Sequence, residues 1–361
     1  MNEGKTKKHI ELSGRTVLVT GSPGFIGAAL VMRLLGEMDS GHIISFDNMN
    51  DYYDPALKEL RLREITEAAE RSRVKHTFIR GSIADKNLVD STFSEYRPSI
   101  VVNLAAQAGV RYSIDHPDVY IESNIIGFYN ILEACRNSSC GNGSGVEHLV
   151  YASSSSVYGN NSAIPFSVED KTDKPVSLYA ATKKSDELLA YAYSKLYSIP
   201  MTGLRFFTVY GPAGRPDMFY YSAADRLSRG ENIRLFNYGN CKRDFTFIDD
   251  IIEGLVRVIR NAPESSDDLT PMHEVYNIGG GKPVDLKEFI YILSEELIRA
   301  GVLPEDFDLE SHTELTGMQP GDVALTYADT GALERDFGFV PEVGVRDGLR
   351  KFAEWYGDRS S

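Results

Sequence analysis

The chain has 361 residues, of which 42% are hydrophobic, so it is long and apolar enough for more than one small domain. Its 52 acidic residues exceed its 38 basic ones, and the net charge of −14 argues against a partner role for nucleic acid. Three cysteines without CxxC spacing and scattered histidines predict neither a disulfide framework nor a metal site. Without a signal-peptide core or a run of about 20 apolar residues, we expect a soluble cytoplasmic protein with no membrane partner.

Short β-branched runs alternate with helical patterns through the first two thirds of the chain. Strands are predicted at Thr16–Thr20, His42–Asp47, Lys75–Arg80, Ile100–Leu104, His148–Ala152 and Met201–Phe207. Helices are predicted at Phe25–Met38, Pro55–Glu70, Lys86–Tyr96, Pro117–Arg136 and Ser177–Tyr197. Several of these strands are apolar nearly throughout, as expected of parallel strands covered on both faces. The alternation predicts an α/β fold with a Rossmann-like, doubly wound parallel sheet.

After Phe207 the alternation becomes irregular, and three further helices are predicted. They span Asp249–Arg260, Leu286–Ala300 and Val345–Tyr356. We expect residues 14–207, with about 244–280, to form the dinucleotide-binding domain. Residues 208–243 and 281–357 are expected to form a smaller, mixed α/β domain that binds the substrate.

A glycine-rich loop follows the first predicted strand and opens the first predicted helix. Its glycines, in the order Gly21-Ser-Pro-Gly24-Phe-Ile-Gly27, would let the backbone approach a pyrophosphate at the helix N-terminus. Asp47 ends the second strand, where a carboxylate would bind the adenosine ribose and repel a 2′-phosphate, which favours NAD over NADP. The alternative is a structural turn followed by a capping Asp-Asn pair. The predicted cofactor contacts outside the catalytic group are Gly21, Gly24, Phe25, Ile26, Gly27, Asp47, Asn48, Ser82, Ile83, Leu104, Ala105, Ala106 and Asn124.

A hydroxyl, a phenol and an ammonium group follow in an order that suits proton transfer. Ser154 ends a strand-like run, Tyr179 comes 25 residues later, and Lys183 follows four residues after that. A free tyrosine has a pKa of about 10 and is a poor base near neutral pH. A lysine at i+4 lies on the same helix face and favours the phenolate. The pattern therefore predicts proton removal coupled to hydride transfer to a nicotinamide.

With these motifs in order, the chain resembles the extended short-chain dehydrogenase/reductases over nearly its whole length. Further stretches narrow the resemblance to the nucleotide-sugar 4-epimerases, above all those that act on UDP-glucuronate. They are 47–53, 105–113, 151–159, 175–183, 205–218 and 243–250. Ala213 departs from the family, which often has an aromatic residue there, and Ser82 replaces a frequent aspartate.

The resemblance implies an isomerase that uses NAD and a UDP-sugar, with Tyr179 as the base, Lys183 tuning it and Ser154 sharing the proton relay. It also implies that Tyr179 and Lys183 contact the cofactor, Lys183 at the nicotinamide ribose. Among substrate contacts, Arg243 is expected at a phosphate and Asp322 at the uridine ribose, while Arg111 borders the sugar site. The complete set of expected substrate contacts is Gln107, Arg111, Ser154, Ser155, Ser156, Thr208, Arg215, Arg243 and Asp322. Arg243 could instead pair with Asp249 or Asp250, and Asn124 could bond a neighbouring turn.

The residues after Ser154 limit the reaction. Related dehydratases carry an Asp-Glu pair in place of Ser155-Ser156, and decarboxylating relatives usually keep a glutamate at the second position. Serines cannot act as acids near neutral pH, so dehydration is disfavoured. Oxidising C4 of a glucuronate gives a β-keto acid that loses CO2 readily, so its carboxylate must be held still. The hydroxyls of Ser155, Ser156 and Thr208, together with the Arg215 guanidinium, could do so.

Two helices, Pro117–Arg136 and Ser177–Tyr197, carry apolar residues beyond one stripe, and the resemblance implies that they form the seam of a homodimer.

The leading functional prediction is inversion of C4 in UDP-glucuronate to give UDP-galacturonate. The alternatives are 4-epimerisation of a UDP-hexose or UDP-N-acetylhexosamine, decarboxylation of UDP-glucuronate, and NAD binding without catalysis.

Overall fold

The computed structural model describes residues 6–139, 145–265, 270–318 and 323–360. Among these residues no helix is long and apolar enough to cross a membrane. The strands are β1 (Lys7–His9), β2 (Thr16–Thr20), β3 (His42–Asp47), β4 (Lys75–Arg80), β5 (Ile100–Asn103), β6 (His148–Ser154), β7 (Met201–Phe206), β8 (Thr208–Tyr210), β9 (Ile233–Leu235), β10 (Lys242–Phe247), β11 (Asn261–Pro263), β12 (His273–Ile278), β13 (Pro283–Asp285) and β14 (Thr313–Leu315).

The helices alternate with the strands through the first two thirds of the chain. They are α1 (Phe25–Glu37), α2 (Pro55–Arg71), α3 (Lys86–Tyr96), α4 (Tyr112–Asp115), α5 (Pro117–Tyr120), α6 (Gly127–Ser139), α7 (Leu178–Tyr197), α8 (Phe219–Ser228), α9 (Ile248–Ile259), α10 (Leu286–Arg299), α11 (Gly331–Phe337) and α12 (Val345–Ser360). A π-helical segment, Ile121–Ile126, lies between α5 and α6, and a 3₁₀ turn, Ser155–Tyr158, follows β6.

The central sheet confirms the predicted Rossmann-like fold. Its seven strands are parallel and lie in the order β12-β7-β6-β5-β2-β3-β4. The chain leaves β2 in one direction along the sheet and later resumes at β5 in the other, so a crevice opens between the ends of these two strands. Thr20 and Asn103 end them side by side, and their side chains are hydrogen bonded at 2.7 Å.

Three smaller sheets lie outside the central one. In the first, β10 runs parallel to β8 and antiparallel to β13. In the second, β9 and β14 are parallel, and in the third β1 and β11 are antiparallel. Because β8 begins at Thr208, directly after the end of β7 at Phe206, the first small sheet extends from the carboxyl end of the central sheet.

The predicted strands match β2 to β7 to within two residues, but the region after Phe206 holds more structure than expected. Helix α8 and strand β12 were not predicted, and both are formed. Among the described residues, strand β12 pairs only with β7, at the edge of the sheet, and its sequence, His-Glu-Val-Tyr-Asn-Ile, mixes polar and apolar residues. An edge strand contacts water along one side, so it lacks the continuous apolar run by which buried parallel strands are found.

A buried ion pair fastens helix α7 to the sheet beneath it. Both oxygens of Glu187 accept hydrogen bonds from Arg205, on β7, at 2.8 and 2.9 Å. Ser153, on β6, donates to the same carboxylate at 2.7 Å, and Tyr158 accepts a hydrogen bond from Arg205 at 2.9 Å. The side chains of the pair are only 3% exposed, and Lys184 also donates to Glu187 at 3.0 Å, so Arg205 is the main but not the sole cation beside this carboxylate.

Replacing Arg205 by Met should therefore lower the free energy of unfolding by about 3 kcal/mol, because Glu187 is left buried without its main partner. Chemical denaturation measures the change. The Arg205→Met/Glu187→Met double variant, which removes both charges, should recover at least half of it. If the double variant were less stable than Arg205→Met, the lower free energy of unfolding could not be assigned to a buried Glu187 that has lost its main partner.

Candidate active site

A cleft of about 1120 Å³ lies at the carboxyl ends of the central strands and contains nearly all the predicted site residues. One end is lined by the glycine loop and the end of β3, and the other by residues of β8, β10 and the loop after β8. The predicted residues on its wall are Gly21, Gly24, Phe25, Ile26, Gly27, Asp47, Asn48, Ser82, Ile83, Leu104, Ala105, Ala106, Gln107, Arg111, Ser154, Ser155, Ser156, Tyr179, Lys183, Thr208, Arg215 and Arg243.

The glycine loop is packed so closely that side chains would not fit. A Cβ atom on Gly27 would lie 2.2 Å from the carbonyl oxygen of Gly21. Gly21 has a φ of +71°, and a Cβ atom there would lie 2.8 Å from the backbone nitrogen of Ala105. Bare backbone therefore forms the wall of the cleft at this point, which suits the close approach of a pyrophosphate.

Polar groups at the start of α1 remain available to a ligand. Helices α2, α3 and α7 begin with Asp54, Asp85 and Ser177, whose side chains accept hydrogen bonds from the first turn. Helix α1 is preceded by Gly24, which has no side chain to cap it. The buried Oγ of Ser22 has no hydrogen-bond partner among the described residues. A phosphate group at this N-terminus would satisfy donors that the protein leaves unpaired.

Asp47 is held at the far end of this part of the cleft. Its Oδ1 accepts a hydrogen bond from the backbone of Met49 at 2.6 Å and lies 3.7 Å from Nζ of Lys58. Burial lowers the pKa of Lys58, although the nearby Asp47 carboxylate opposes this shift. Both contacts fall on Oδ1, and the ribose contact expected of this carboxylate stays a prediction.

Helix α7 places Lys183 against the end of β6. Its Nζ donates to the carbonyl oxygen of Ala152 at 2.9 Å and to Oδ2 of Asp186 at 3.3 Å, and the lysine is only 3% exposed. Ala152 is two residues before Ser154, so one hydrogen bond joins the helix that carries Tyr179 to the strand that carries the serine. The three predicted catalytic residues therefore face the same cleft.

The serine motif is ordered by its own hydroxyls. Oγ of Ser154 accepts hydrogen bonds from the backbone nitrogen of Ser156 at 3.2 Å and from its hydroxyl at 2.9 Å. This arrangement caps the 3₁₀ turn that follows β6 and leaves the Ser154 proton free to be donated elsewhere. The hydroxyl of Ser153, by contrast, donates to Glu187 of the buried ion pair.

The phenol of Tyr179 lies next to a second, buried phenol. The ring of Tyr120 packs edge to face against that of Tyr179, with centroids 6.0 Å apart. Burial raises the pKa of Tyr120, whose hydroxyl donates to the carbonyl oxygens of Ala108 and Gly109 at 2.8 and 2.5 Å. Tyr120 is thus a neutral phenol behind Tyr179, and Tyr179 itself lines the cleft.

Arg215 is oriented across the cleft by an acid and a tyrosine. Its Nε and Nη2 donate to the carboxylate of Asp217 at 3.0 and 2.5 Å, and the hydroxyl of Tyr52 donates to the same carboxylate at 3.1 Å. Partial burial would raise the pKa of Asp217, but the guanidinium beside it outweighs burial and lowers that pKa. One edge of the Arg215 fork is therefore occupied, and Nη1, on the other edge, has no hydrogen bond to the described residues.

Asn124 is the one described site residue that does not line the cleft. It is buried in the π-helical segment, where its Oδ1 accepts from the backbone nitrogen of Gln107 at 2.8 Å. Its Nδ2 donates to the carbonyl oxygen of Gln107 at 3.1 Å and to Thr182 at 3.0 Å. The amide therefore supports the segment after β5 and the catalytic helix from behind, and a direct cofactor contact finds no support in this position.

Arginines lie at the end of the cleft expected to hold the nucleotide. Arg243 lines the wall, and its alternative partners are engaged elsewhere: Asp249 pairs with Lys351, and Asp250 accepts two backbone hydrogen bonds. The guanidinium of Arg111 stacks 4.5 Å from the ring centroid of Phe236. The predicted uridine contact, Asp322, lies outside the described residues.

Comparisons with known proteins agree with this geometry. The profile of the NAD dependent epimerase/dehydratase family matches residues 17–279. The chain belongs to this family. The Staphylococcus aureus protein CapI is 43% identical over 94% of this chain and 98% of its own length. A probable UDP-glucuronate 4-epimerase of Rhizobium meliloti is 39% identical over 94% of this chain and 96% of its own length.

The fold of the family is also seen in a solved relative. The crystal structure of UDP-glucuronic acid 4-epimerase from Bacillus cereus, in complex with UDP-glucuronic acid and NAD, has a TM-score of 0.80 to this chain. The two are 29% identical, and the match covers 96% of this chain and all of the other. The family is NAD-dependent, and the bare glycine loop, the uncapped α1 and Asp47 fit that cofactor.

Several residues that shape the site were missed at the level of sequence. Tyr52 and Asp217 orient Arg215, and Lys58 and Arg61 are buried polar residues of α2. A signal for Arg61 was present, since it falls between Leu57 and Ile65 in an i, i+4, i+8 series that marks the buried face of the helix. A charged residue on that face predicts an internal partner, although the sequence does not identify it.

The buried acid next to Lys183 gives a pH-dependent prediction. Burial raises the pKa of Asp186 to about 7, outweighing the attraction of Lys183, while the neighbouring Glu187 raises it further. The folded state therefore binds this proton more tightly than the unfolded state, so the free energy of unfolding falls as the pH rises from the ordinary carboxyl pKa towards about 7.

In Asp186→Asn this group is neutral at every pH, so the variant should gain in melting temperature relative to the wild type between about pH 5 and about pH 8. Thermal denaturation across that range measures the difference. Asp90→Asn, which removes an exposed acid of α3, is the control and should run parallel to the wild type. If the melting temperature of Asp186→Asn also ran parallel to that of the wild type across this pH range, the raised pKa of Asp186 would be contradicted.

Proposed function

We propose that this protein is an NAD-dependent 4-epimerase that interconverts UDP-glucuronate and UDP-galacturonate. The observation that carries the proposal is the composition of one wall of the cleft. Ser155, Ser156, Thr208 and Arg215 line the same cavity as Tyr179 and Lys183, and they provide hydroxyl and guanidinium donors but no acid at the position next to the catalytic serine. These groups suit a sugar carboxylate.

The residues assigned to catalysis act on the C4 hydroxyl. Tyr179, as phenolate, takes the hydroxyl proton, and Ser154 relays it. Lys183 lies behind them with a positive charge that favours the phenolate. NAD, when bound, supplies hydride transfer from C4 and back to C4. The 4-keto sugar turns about its bond to the diphosphate, and Tyr179 returns the proton on the other face, which inverts C4.

The donors on the same wall also suit the carboxylate that distinguishes a uronate from a neutral sugar. A 4-keto uronate is a β-keto acid, and it loses CO2 when the C5–C6 bond aligns with the carbonyl π system. The open edge of the Arg215 guanidinium can bind the carboxylate while Asp217 and Tyr52 hold the other edge. Serines 155 and 156 can donate further hydrogen bonds. A neutral hexose would leave these donors unpaired, at a cost in affinity.

The proposal is tested by the products formed from three sugar nucleotides: UDP-glucuronate, UDP-glucose and UDP-N-acetylglucosamine. With UDP-glucuronate and no added NAD, we expect UDP-galacturonate as the product, identified by NMR and mass spectrometry, and slower or no conversion of the neutral sugars. Preferred conversion of a neutral sugar, or release of a UDP-pentose and CO2 as the main products, would contradict the proposal.

Replacing Tyr179 by Phe should lower kcat by about 100-fold or more, because the base is lost while the ring remains. Bound NAD and the affinity for UDP should be unchanged, since neither depends on the phenolic proton. Steady-state kinetics and calorimetry with UDP measure these quantities. Tyr291→Phe, at an exposed position of α10, is the control and should keep full activity. An active Tyr179→Phe enzyme would contradict the assignment of the base.

We also propose that the protein acts as a cytoplasmic homodimer. The described cysteines, Cys135 and Cys241, are both buried, and a chain with three cysteines and no CxxC spacing suits a reducing compartment. Exposed apolar residues gather on the π-helical segment, α6 and α7; they are Ile121, Ile126, Tyr129, Leu188 and Tyr191, each more than 40% exposed. Such a patch on two neighbouring helices suits a partner helix pair of a second copy.

Replacing Leu188 by Glu should therefore convert the dimer to monomer, because a charge would be buried in the apolar seam. Sedimentation velocity at micromolar concentration measures the species. Tyr291→Glu, an equally exposed apolar position on α10, should leave the dimer intact. A wild-type protein that sediments as a monomer, or a dimeric Leu188→Glu variant, would contradict this arrangement.

A further inference from the structure

Arg61 is a buried cation whose partners are almost all backbone carbonyls. It lies on α2, is 1% exposed, and forms no ion pair with the described residues. Its guanidinium donates to the carbonyl oxygens of Pro23, Ala213 and Gly214 and to the hydroxyl of Tyr53. A buried charge without an acidic partner is costly unless its donors are satisfied, so the carbonyl contacts must be held in place.

These contacts join two loops that border the cleft, the glycine loop and the loop after β8. Pro23 belongs to the glycine loop, and its oxygen lies 3.0 Å from Nη1 of Arg61. Ala213 belongs to the loop after β8, and its oxygen accepts from both Nε and Nη2, at 3.1 and 2.6 Å. Gly214 accepts from Nη2 at 2.8 Å. One side chain thus links the dinucleotide loop to residues that immediately precede Arg215.

The loop after β8 has a conformation that needs such support. Ala213 has a φ of +51°, in the left-handed region that L-residues other than Asn and Asp rarely adopt. At Gly214 a Cβ atom would lie 1.6 Å from the hydroxyl of Tyr220, so the backbone is pressed against that ring. The Arg61 hydrogen bonds stabilise the two carbonyls in this strained stretch, and the next residue is Arg215.

We propose that Arg61 is a positioning residue that fixes Arg215 and thereby sets the balance between epimerisation and decarboxylation of the 4-keto uronate. This inference rests on the proposed function. Arg61 does not need to touch the substrate, because it acts through the backbone of residues 213 and 214. Arg215 can hold the carboxylate out of line with the C4 carbonyl only while its own backbone is fixed.

The side reaction that a correctly held Arg215 suppresses is decarboxylation of the 4-keto uronate. Cleavage of C5–C6 releases CO2, and the electron pair of that bond enters the enolate formed with the C4 carbonyl. A proton from solvent is then added at C5, which gives a UDP-4-keto-pentose. The hydride removed from C4 in the first half-reaction reduces this ketone to a UDP-pentose, so no outside oxidant or reductant is needed. The ratio of UDP-pentose to UDP-galacturonate measures the failure of positioning.

The test uses UDP-glucuronate labelled with ¹³C at C6 and follows released CO2, UDP-pentose and UDP-galacturonate for the full-length protein. Arg61→Met should raise the decarboxylated fraction by about tenfold and raise KM for UDP-glucuronate, with the affinity for UDP unchanged. Arg61→Lys keeps the charge but cannot reach all the carbonyls, so its decarboxylated fraction should lie between those of the wild type and Arg61→Met. This variant also keeps the test decisive if Arg61→Met does not fold. Arg63→Met, at an exposed position of the same helix, is the matched control and should behave as wild type.

A double-mutant cycle separates positioning from a general loss of stability. In an Arg215→Ala background, a further Arg61→Lys change should leave the decarboxylated fraction unaltered, because the residue through which it acts is gone. Independent effects of the two substitutions, or a loss of total turnover in both Arg61 variants with the wild-type ratio of products, would overturn the inference. A wild-type enzyme that leaves UDP-glucuronate unchanged would contradict the proposed function and this inference together. Normal epimerisation by the wild type with unaltered Arg61 variants would contradict this inference alone.

Discussion

The hydrogen bond from Lys183 to the carbonyl oxygen of Ala152 is the contact on which the site depends. It is formed inside the protein, between a helix that follows a long loop and the strand that precedes that loop. Together with the hydrogen bond from Ser153 to Glu187, it fixes the strand that ends at Ser154 against the helix that carries Tyr179. The ion pair between Glu187 and Arg205 holds the same helix to the same sheet one turn further on, so the catalytic groups rest on two buried contacts.

The remaining parts of the site consist of groups that suit anions. At one end of the cleft, bare backbone and an uncapped helix present N–H groups, and at the other an arginine fork is turned by Asp217 and Tyr52. These two regions are far apart in sequence, and Arg61 connects them through backbone carbonyls. Under the proposed function, this side chain links the loop expected to bind the dinucleotide to the loop expected to restrain the acidic sugar. This linkage suits a reaction whose intermediate must turn over without losing CO2.

Much of this arrangement could be predicted from the sequence because its signals are local. Apolar runs of five or six residues mark the buried strands, and the glycine loop and the spacing of Tyr179 and Lys183 are read directly. What could not be predicted depends on contacts between distant segments. The break of the long predicted helix at Ile121–Ile126 accompanies the bonds of Asn124 to the loop after β5, and no local pattern encodes them. The partners of Arg61 were hidden for the same reason.

The central claim is that the hydrogen leaving C4 returns to the same carbon while the carboxylate stays attached. UDP-glucuronate deuterated at C4 tests it most directly, with no NAD added and the product analysed by NMR and mass spectrometry. The account predicts UDP-galacturonate that retains the deuterium at C4 and the carboxyl carbon at C6. Loss of the label to solvent, its appearance at another carbon, or release of CO2 in step with turnover would contradict it.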